Sequence, residues 1–78
     1  MKTVAIYLVK DLARLSGLSI HTVKYYLKRG LIREVGRSPE TNYRYFDQTT
    51  LGQLQQICFL RRDGKSLEDI QEILAHPR

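Results

Sequence analysis

The chain has one cysteine, Cys58, among 78 residues. An internal disulfide is therefore impossible, and no zinc site with cysteine partners at the usual spacing can form. No apolar run approaches the roughly 18 residues of a membrane-spanning helix. The apolar stretch Val4 to Val9 is too short for a signal-peptide core and no cleavage site follows it. The two histidines, His21 and His76, lie far apart with no nucleophile between them, and no glycine-rich phosphate loop follows a strand. Asp69 and Glu72 are i,i+3 neighbours that a solvated helix face explains. Neither an enzyme, a catalytic centre, a metal site nor a cofactor is expected, and a reducing, cytoplasmic setting is the default.

What remains is one small domain. At this size the fold buries only about 60% of the surface that the unfolded chain exposes. Charged residues make up 27% and hydrophobic residues 42%, a globular rather than disordered balance. The net charge is +5, and it is unevenly spread. Residues 1–46 hold nine Lys/Arg against three acids; residues 47–78 hold four against five. The positive field belongs to the first half, and such asymmetry attracts a polyanion, nucleic acid or anionic membrane. A basic face serving solubility alone is the simpler alternative.

Residues 5–9 are β-prone and predict a short strand. Val9, Leu12, Ala13 and Leu15 then fall at helical spacing, predicting a first helix over about 10–16 that stops at Gly17. Ser19 is a good N-cap for a second helix over about 20–29, with Ile20, Val23 and Leu27 on its apolar face and Gly30 as its end. Residues 31–46 read as a hairpin: strand Leu31-Ile32-Arg33, a polar loop from Gly36 to Asn42, and a return strand Tyr43-Arg44-Tyr45-Phe46. Asp47 caps a third helix over about 48–63, with Leu51, Leu54, Ile57 and Cys58 on one face, stopped by Asp63-Gly64. Ser66 caps a fourth, striped by Leu67, Ile70, Ile73 and Leu74 and ended by His76-Pro77.

The expected fold class is mostly α with a small β-hairpin. It comprises a helix-turn-helix over about 10–29, a wing over about 31–46 and a second helix pair over about 48–75, all one winged helix-turn-helix domain across 1–78. Ala13 is small where two helices approach, Gly17 suits a left-handed turn, and Leu18 and Val23 fill the wedge. This spacing fits any helical hairpin with glycine in its turn, or, given the basic second helix, a DNA-binding helix-turn-helix whose second helix enters the major groove of double-stranded DNA. His21 and Thr22 stand at its front; Lys24 and Lys28 share its polar face. Of the adjacent tyrosines, Tyr26 is expected inside and Tyr25 outside. Arg37 and Arg44 on the wing suit the adjacent backbone.

These residues resemble the MerR-type transcriptional regulators. The likeness is carried by Tyr7-Leu8-Val9-Lys10-Asp11-Leu12-Ala13, Ser16-Gly17-Leu18-Ser19, Thr22-Val23-Lys24-Tyr25-Tyr26, Gly30-Leu31-Ile32, Asn42-Tyr43-Arg44-Tyr45-Phe46 and the run Leu60 to Ile70. The resemblance implies promoter binding as a dimer. In family activators, the bound spacer is bent and untwisted so that RNA polymerase engages both promoter elements. By position it makes Thr22, Lys24 and Tyr25 recognition-helix contacts, Tyr43 and Arg44 wing contacts, and Arg14 a backbone contact from the first helix. The candidate DNA-binding set is Arg14, Ser19, His21, Thr22, Lys24, Tyr25, Lys28, Arg37, Tyr43 and Arg44.

Three features depart from the family pattern. Lys24 stands where Arg is usual, which favours phosphate contact over bidentate base readout. Arg33 and Glu34 stand where Pro is common. Asn42 replaces a common Gly and is the next best residue for a positive φ. No long antiparallel pairing helix follows before Arg78, so a monomer or weak dimer is expected of these residues alone, and a homodimer if a longer native chain adds that helix. RNA polymerase would be engaged indirectly. Two other readings stand beside transcriptional regulation: a small architectural DNA-binding factor such as an excisionase or packaging factor, and a protein-interaction adaptor using Leu60 and Leu74.

Overall fold

A computed structural model describes residues 6–75. Six elements follow in order: α1 Val9–Ser16, α2 Ile20–Lys28, β1 Gly36–Arg37, β2 Arg44–Tyr45, α3 Gln48–Arg62 and α4 Leu67–Ala75. Helix α1 starts where the Asp11 carboxylate accepts the Leu8 backbone N–H at 2.9 Å, satisfying a donor that the helix itself cannot. It ends at Gly17, whose φ of 80° lets both Gly17 and Leu18 donate to the Ala13 carbonyl. Ser19 caps α2 by accepting from the Thr22 N–H at 3.0 Å. Asp47 does the same for α3 through Thr50, and Ser66 for α4 through Asp69.

Helix α1 packs on α2 and α3, and α4 packs on α3. The contact centres on Leu12, Val23, Ile32, Phe46, Leu54, Ile57 and Ile70, all fully buried. Ala13 is buried where α1 meets α2, and Leu18 packs against the same core. Tyr26 is buried and Tyr25 exposed, the division expected from the sequence. Gln71 on α4 exchanges hydrogen bonds with Arg29, donating to its carbonyl at 3.1 Å and accepting from Nη2 at 3.4 Å. The end of α2 is thus tied to α4.

The hairpin differs from expectation. Leu31-Ile32-Arg33 is not a strand. Leu31 and Ile32 are both buried, whereas consecutive residues of a strand point to opposite faces. They plug the core instead, and the buried Thr50 hydroxyl donates to the Arg33 carbonyl at 3.4 Å. Pairing begins at Val35, which donates to the Tyr45 carbonyl, and the two-stranded antiparallel sheet sets Gly36 opposite Tyr45 and Arg37 opposite Arg44. Gly36 and Arg37, expected in the loop, are therefore β1. Asn42 takes φ 61° at the tip, as its place in the turn requires.

The predicted strand at 5–9 reduces to one antiparallel bridge between Tyr7 and Phe46, with Ala5 outside the described residues. The His76-Pro77 stop also lies outside them. Three residues assigned to apolar faces are exposed instead: Leu15 at 40%, Ile20 at 46% and Ile73 at 38%. Cys58 is half-buried, and burial pushes its thiol pKa up, the opposite of an activated thiol.

Candidate nucleic-acid interface

Helix α2 and the hairpin face one another across two adjoining clefts. The first is lined by Leu8, Val9, Lys10, Ile20, Lys24, Arg37, Asn42, Tyr43 and Arg44. The second is lined by Lys24, Leu27, Lys28, Gly30, Ile32, Arg33, Glu34 and Arg44. Lys24 and Arg44 belong to both. Residues 20 apart in the chain thus converge because α2 packs its Val23–Tyr26 face into the core and turns the Lys24–Lys28 face toward the wing.

Five residues of the candidate set line these clefts: Lys24, Lys28, Arg37, Tyr43 and Arg44. The other five do not. Ser19 is engaged in capping, its hydroxyl also donating to Thr22 Oγ1 at 3.0 Å. His21 is exposed on the first turn of α2. Arg14 is exposed and lies 3.6 Å from Asp11, a surface pair of little energetic weight. Tyr25 presents its ring outward; its hydroxyl accepts from Arg29 Nη1 at 2.9 Å, and the guanidinium carbon lies 5.8 Å from the ring centroid. That stacking fixes the tyrosine on the outer face of α2.

The clefts also hold two cations that the sequence reading passed over, Lys10 and Arg33. Lys10 lies in the first turn of α1, inside the Tyr7 to Ala13 run, and had no contact role assigned to it. Arg33 was hidden in a supposed strand. The other unforeseen member is Glu34. Its Oε2 meets Arg37 Nε at 2.8 Å and its Oε1 meets Arg44 Nε at 2.8 Å. The Arg37 hydrogen bond, with the charges of both arginines, holds the Glu34 carboxyl below its ordinary range. The i,i+3 spacing of Glu34 and Arg37 was a visible signal; the approach of Arg44 depends on strand register.

The arrangement is a basic, aromatic-edged surface around a projecting helix. Among the described residues, no group of three or more His, Cys, Asp or Glu could hold a metal ion, and no helix is long and apolar enough to cross a membrane. A surface of this kind offers charge-assisted hydrogen bonds to phosphate oxygens.

Known proteins share this plan. Residues 7–76 match the family described as MerR HTH family regulatory protein. The HTH-type transcriptional regulator SkgA of Caulobacter vibrioides is 43% identical over 75 residues, which are 94% of this chain and 28% of that protein. The crystal structure of the N-terminus of Mta, the Bacillus subtilis multidrug transporter activator, superposes with a TM-score of 0.85 at 36% identity, covering 92% of this chain and 67% of that one. The structure of HiNmlR, a MerR family regulator lacking the sensor domain and bound to promoter DNA, superposes with a TM-score of 0.77 at 32% identity, covering 87% of this chain and 51% of that one. The chain thus spans little more than a quarter of SkgA's length.

Proposed function

The chain belongs to the MerR helix-turn-helix regulatory family, and on that footing we propose that it binds double-stranded DNA sequence-specifically as the DNA-binding part of a transcriptional regulator. The observation that carries this reading is the convergence of Lys24 and Lys28 on α2 with Arg37, Tyr43 and Arg44 on the hairpin around shared clefts. Helix α2 enters the major groove by its N-terminal turns, where His21 and Thr22 meet base edges. Lys24, Lys28, Arg37 and Arg44 meet phosphates on either side, with Tyr43 at the tip. Tyr25 and Arg14 reach the flanking backbone, and Ser19 holds the front of the helix in shape. The similar HiNmlR, whose crystal structure holds promoter DNA, supports the DNA-binding reading.

On this reading residues 1–78 act as one cytoplasmic winged unit with a binding rather than a catalytic role, needing no cofactor. Alone it is a monomer or weak dimer. A longer native chain that adds a pairing helix makes it a homodimer and engages RNA polymerase indirectly. The names of its relatives favour regulation over the architectural and adaptor readings.

Selection from a random duplex pool tests the proposal. The expected result is a defined motif, bound with a log–log salt slope of about −4 to −5 for about 5 phosphate contacts. Enrichment of no motif, with affinity for duplex equal to that for heparin, would sink it.

A further inference from the structure

Arg37 and Arg44 are directly opposed across the hairpin. Like charges directly opposite on a strand pair repel, and two unconstrained guanidiniums there would splay apart. Glu34 sits between them. Each of its carboxylate oxygens takes one arginine at 2.8 Å, in both cases by closest approach to Nε. A guanidinium has five N–H donors, so Nε contact leaves donors at the amino end for another acceptor. Both arginine side chains remain 43% exposed. The backbone around Glu34 is anchored: Ile32, two residues before it, is buried in the core, and the Val35 N–H after it donates to the Tyr45 carbonyl. Both arginines also face the cleft shared with Lys24.

Resting on the reading that this surface binds DNA, we propose that Glu34 is a positioning residue: its carboxylate holds Arg37 and Arg44 as a preset pair whose amino ends close on a DNA phosphate beside Lys24. An acid on a DNA-binding face repels the backbone, so charge alone makes it a brake on binding. Positioning acts the other way, because the ordering of two long side chains is completed before DNA arrives. The two effects give opposite signs on substitution, and the preset geometry dominates.

The test measures affinity and salt slope of Glu34→Ala and Glu34→Gln on the selected duplex, beside the parent. Glu34→Ala is expected to bind about 5–10-fold more weakly despite its extra positive charge, with a slope shallower by about 1 as one phosphate contact is lost. Glu34→Gln, whose single carbonyl still accepts from one arginine, falls between. In an Arg37→Ala/Arg44→Ala background, Glu34→Ala is expected to lose this penalty, which a merely structural role would retain. In the free domain, the two arginine Nε–H resonances, distinct and downfield in the parent, are expected to collapse toward the free-arginine position in Glu34→Ala. Equal or tighter binding by Glu34→Ala with a steeper slope, or unmoved Nε–H resonances, would overturn the inference while leaving DNA binding intact. A parent that binds no duplex overturns both.

Discussion

Tyr7 and Phe46 exchange both of their main-chain hydrogen bonds, at 2.8 and 2.7 Å. The segment ahead of α1 is thereby sewn to the base of the hairpin. The Tyr7 hydroxyl adds a bond to Gln48 Oε1 at 2.9 Å. Phe46 itself is fully buried, so one residue serves as both the root of the wing and a keystone of the core. The orientation of the wing against α2 rests on this junction.

Phe46→Ala is accordingly expected to remove about 3–5 kcal/mol of stability. That approaches the whole stability of a domain of this size, roughly 5 kcal/mol. Urea denaturation followed by circular dichroism should show Phe46→Ala largely unfolded without denaturant. Phe46→Leu should remain folded with a lower midpoint.

Lys24 lines both clefts, so its charge is central to the basic surface. Lys24→Ala is expected to weaken binding by a similar factor on every duplex and to make the salt slope shallower by about 1. Lys24→Arg should keep the slope. Fluorescence anisotropy across a salt series checks both.

Much of this was legible in the sequence, because local chemistry fixes helix ends. Ser19, Asp47 and Ser66 cap where short polar side chains preceded apolar periodicity, and Gly17, Gly30 and Gly64 take positive φ at the helix stops. The division between Tyr25 and Tyr26 followed from helical period. What failed needed tertiary information. Leu31-Ile32 is an apolar pair that composition alone could not tell from a strand, and the burial of both residues is set by the assembled core, beside the bond from Thr50 to the Arg33 carbonyl. Ile20 fits a helix stripe but faces the open cleft beside the wing. The bond from Glu34 to Arg44 joins residues ten apart and exists only once the hairpin register is set.

Gly36 lies under the Tyr45 ring. A Cβ there would lie 2.5 Å from Tyr45 Oη and 2.8 Å from Cζ. Gly36→Ala must therefore shift the end of the Tyr45 ring away from β1, a cost at or below the low end of overpacking, about 1 kcal/mol. Hydrogen exchange should show faster exchange at Val35 and Ser38, with Leu12, Leu54 and Ile57 amides little changed.

The Glu34 carboxyl is held below its ordinary value of 4.5 by its arginine partners. Its folded pKa is depressed, so what it contributes is present above the unfolded value and is lost as pH falls through the lower folded one. The ion pairing of Glu34 with Arg37 and Arg44 should be constant above the ordinary glutamate range and be lost only as pH falls through the lower folded value. Carboxyl carbon shifts of Glu34 followed by NMR should titrate below the ordinary glutamate value, and Glu34→Gln should remove that step.

The most direct test is a titration of the isotope-labelled domain with the selected duplex at low salt, read at each backbone amide. Large shifts concentrated on α2 from Ile20 to Lys28 and on the hairpin from Gly36 to Tyr45 are the expected result. Shifts confined to the outer faces of α3 and α4, with α2 unmoved, would contradict the account.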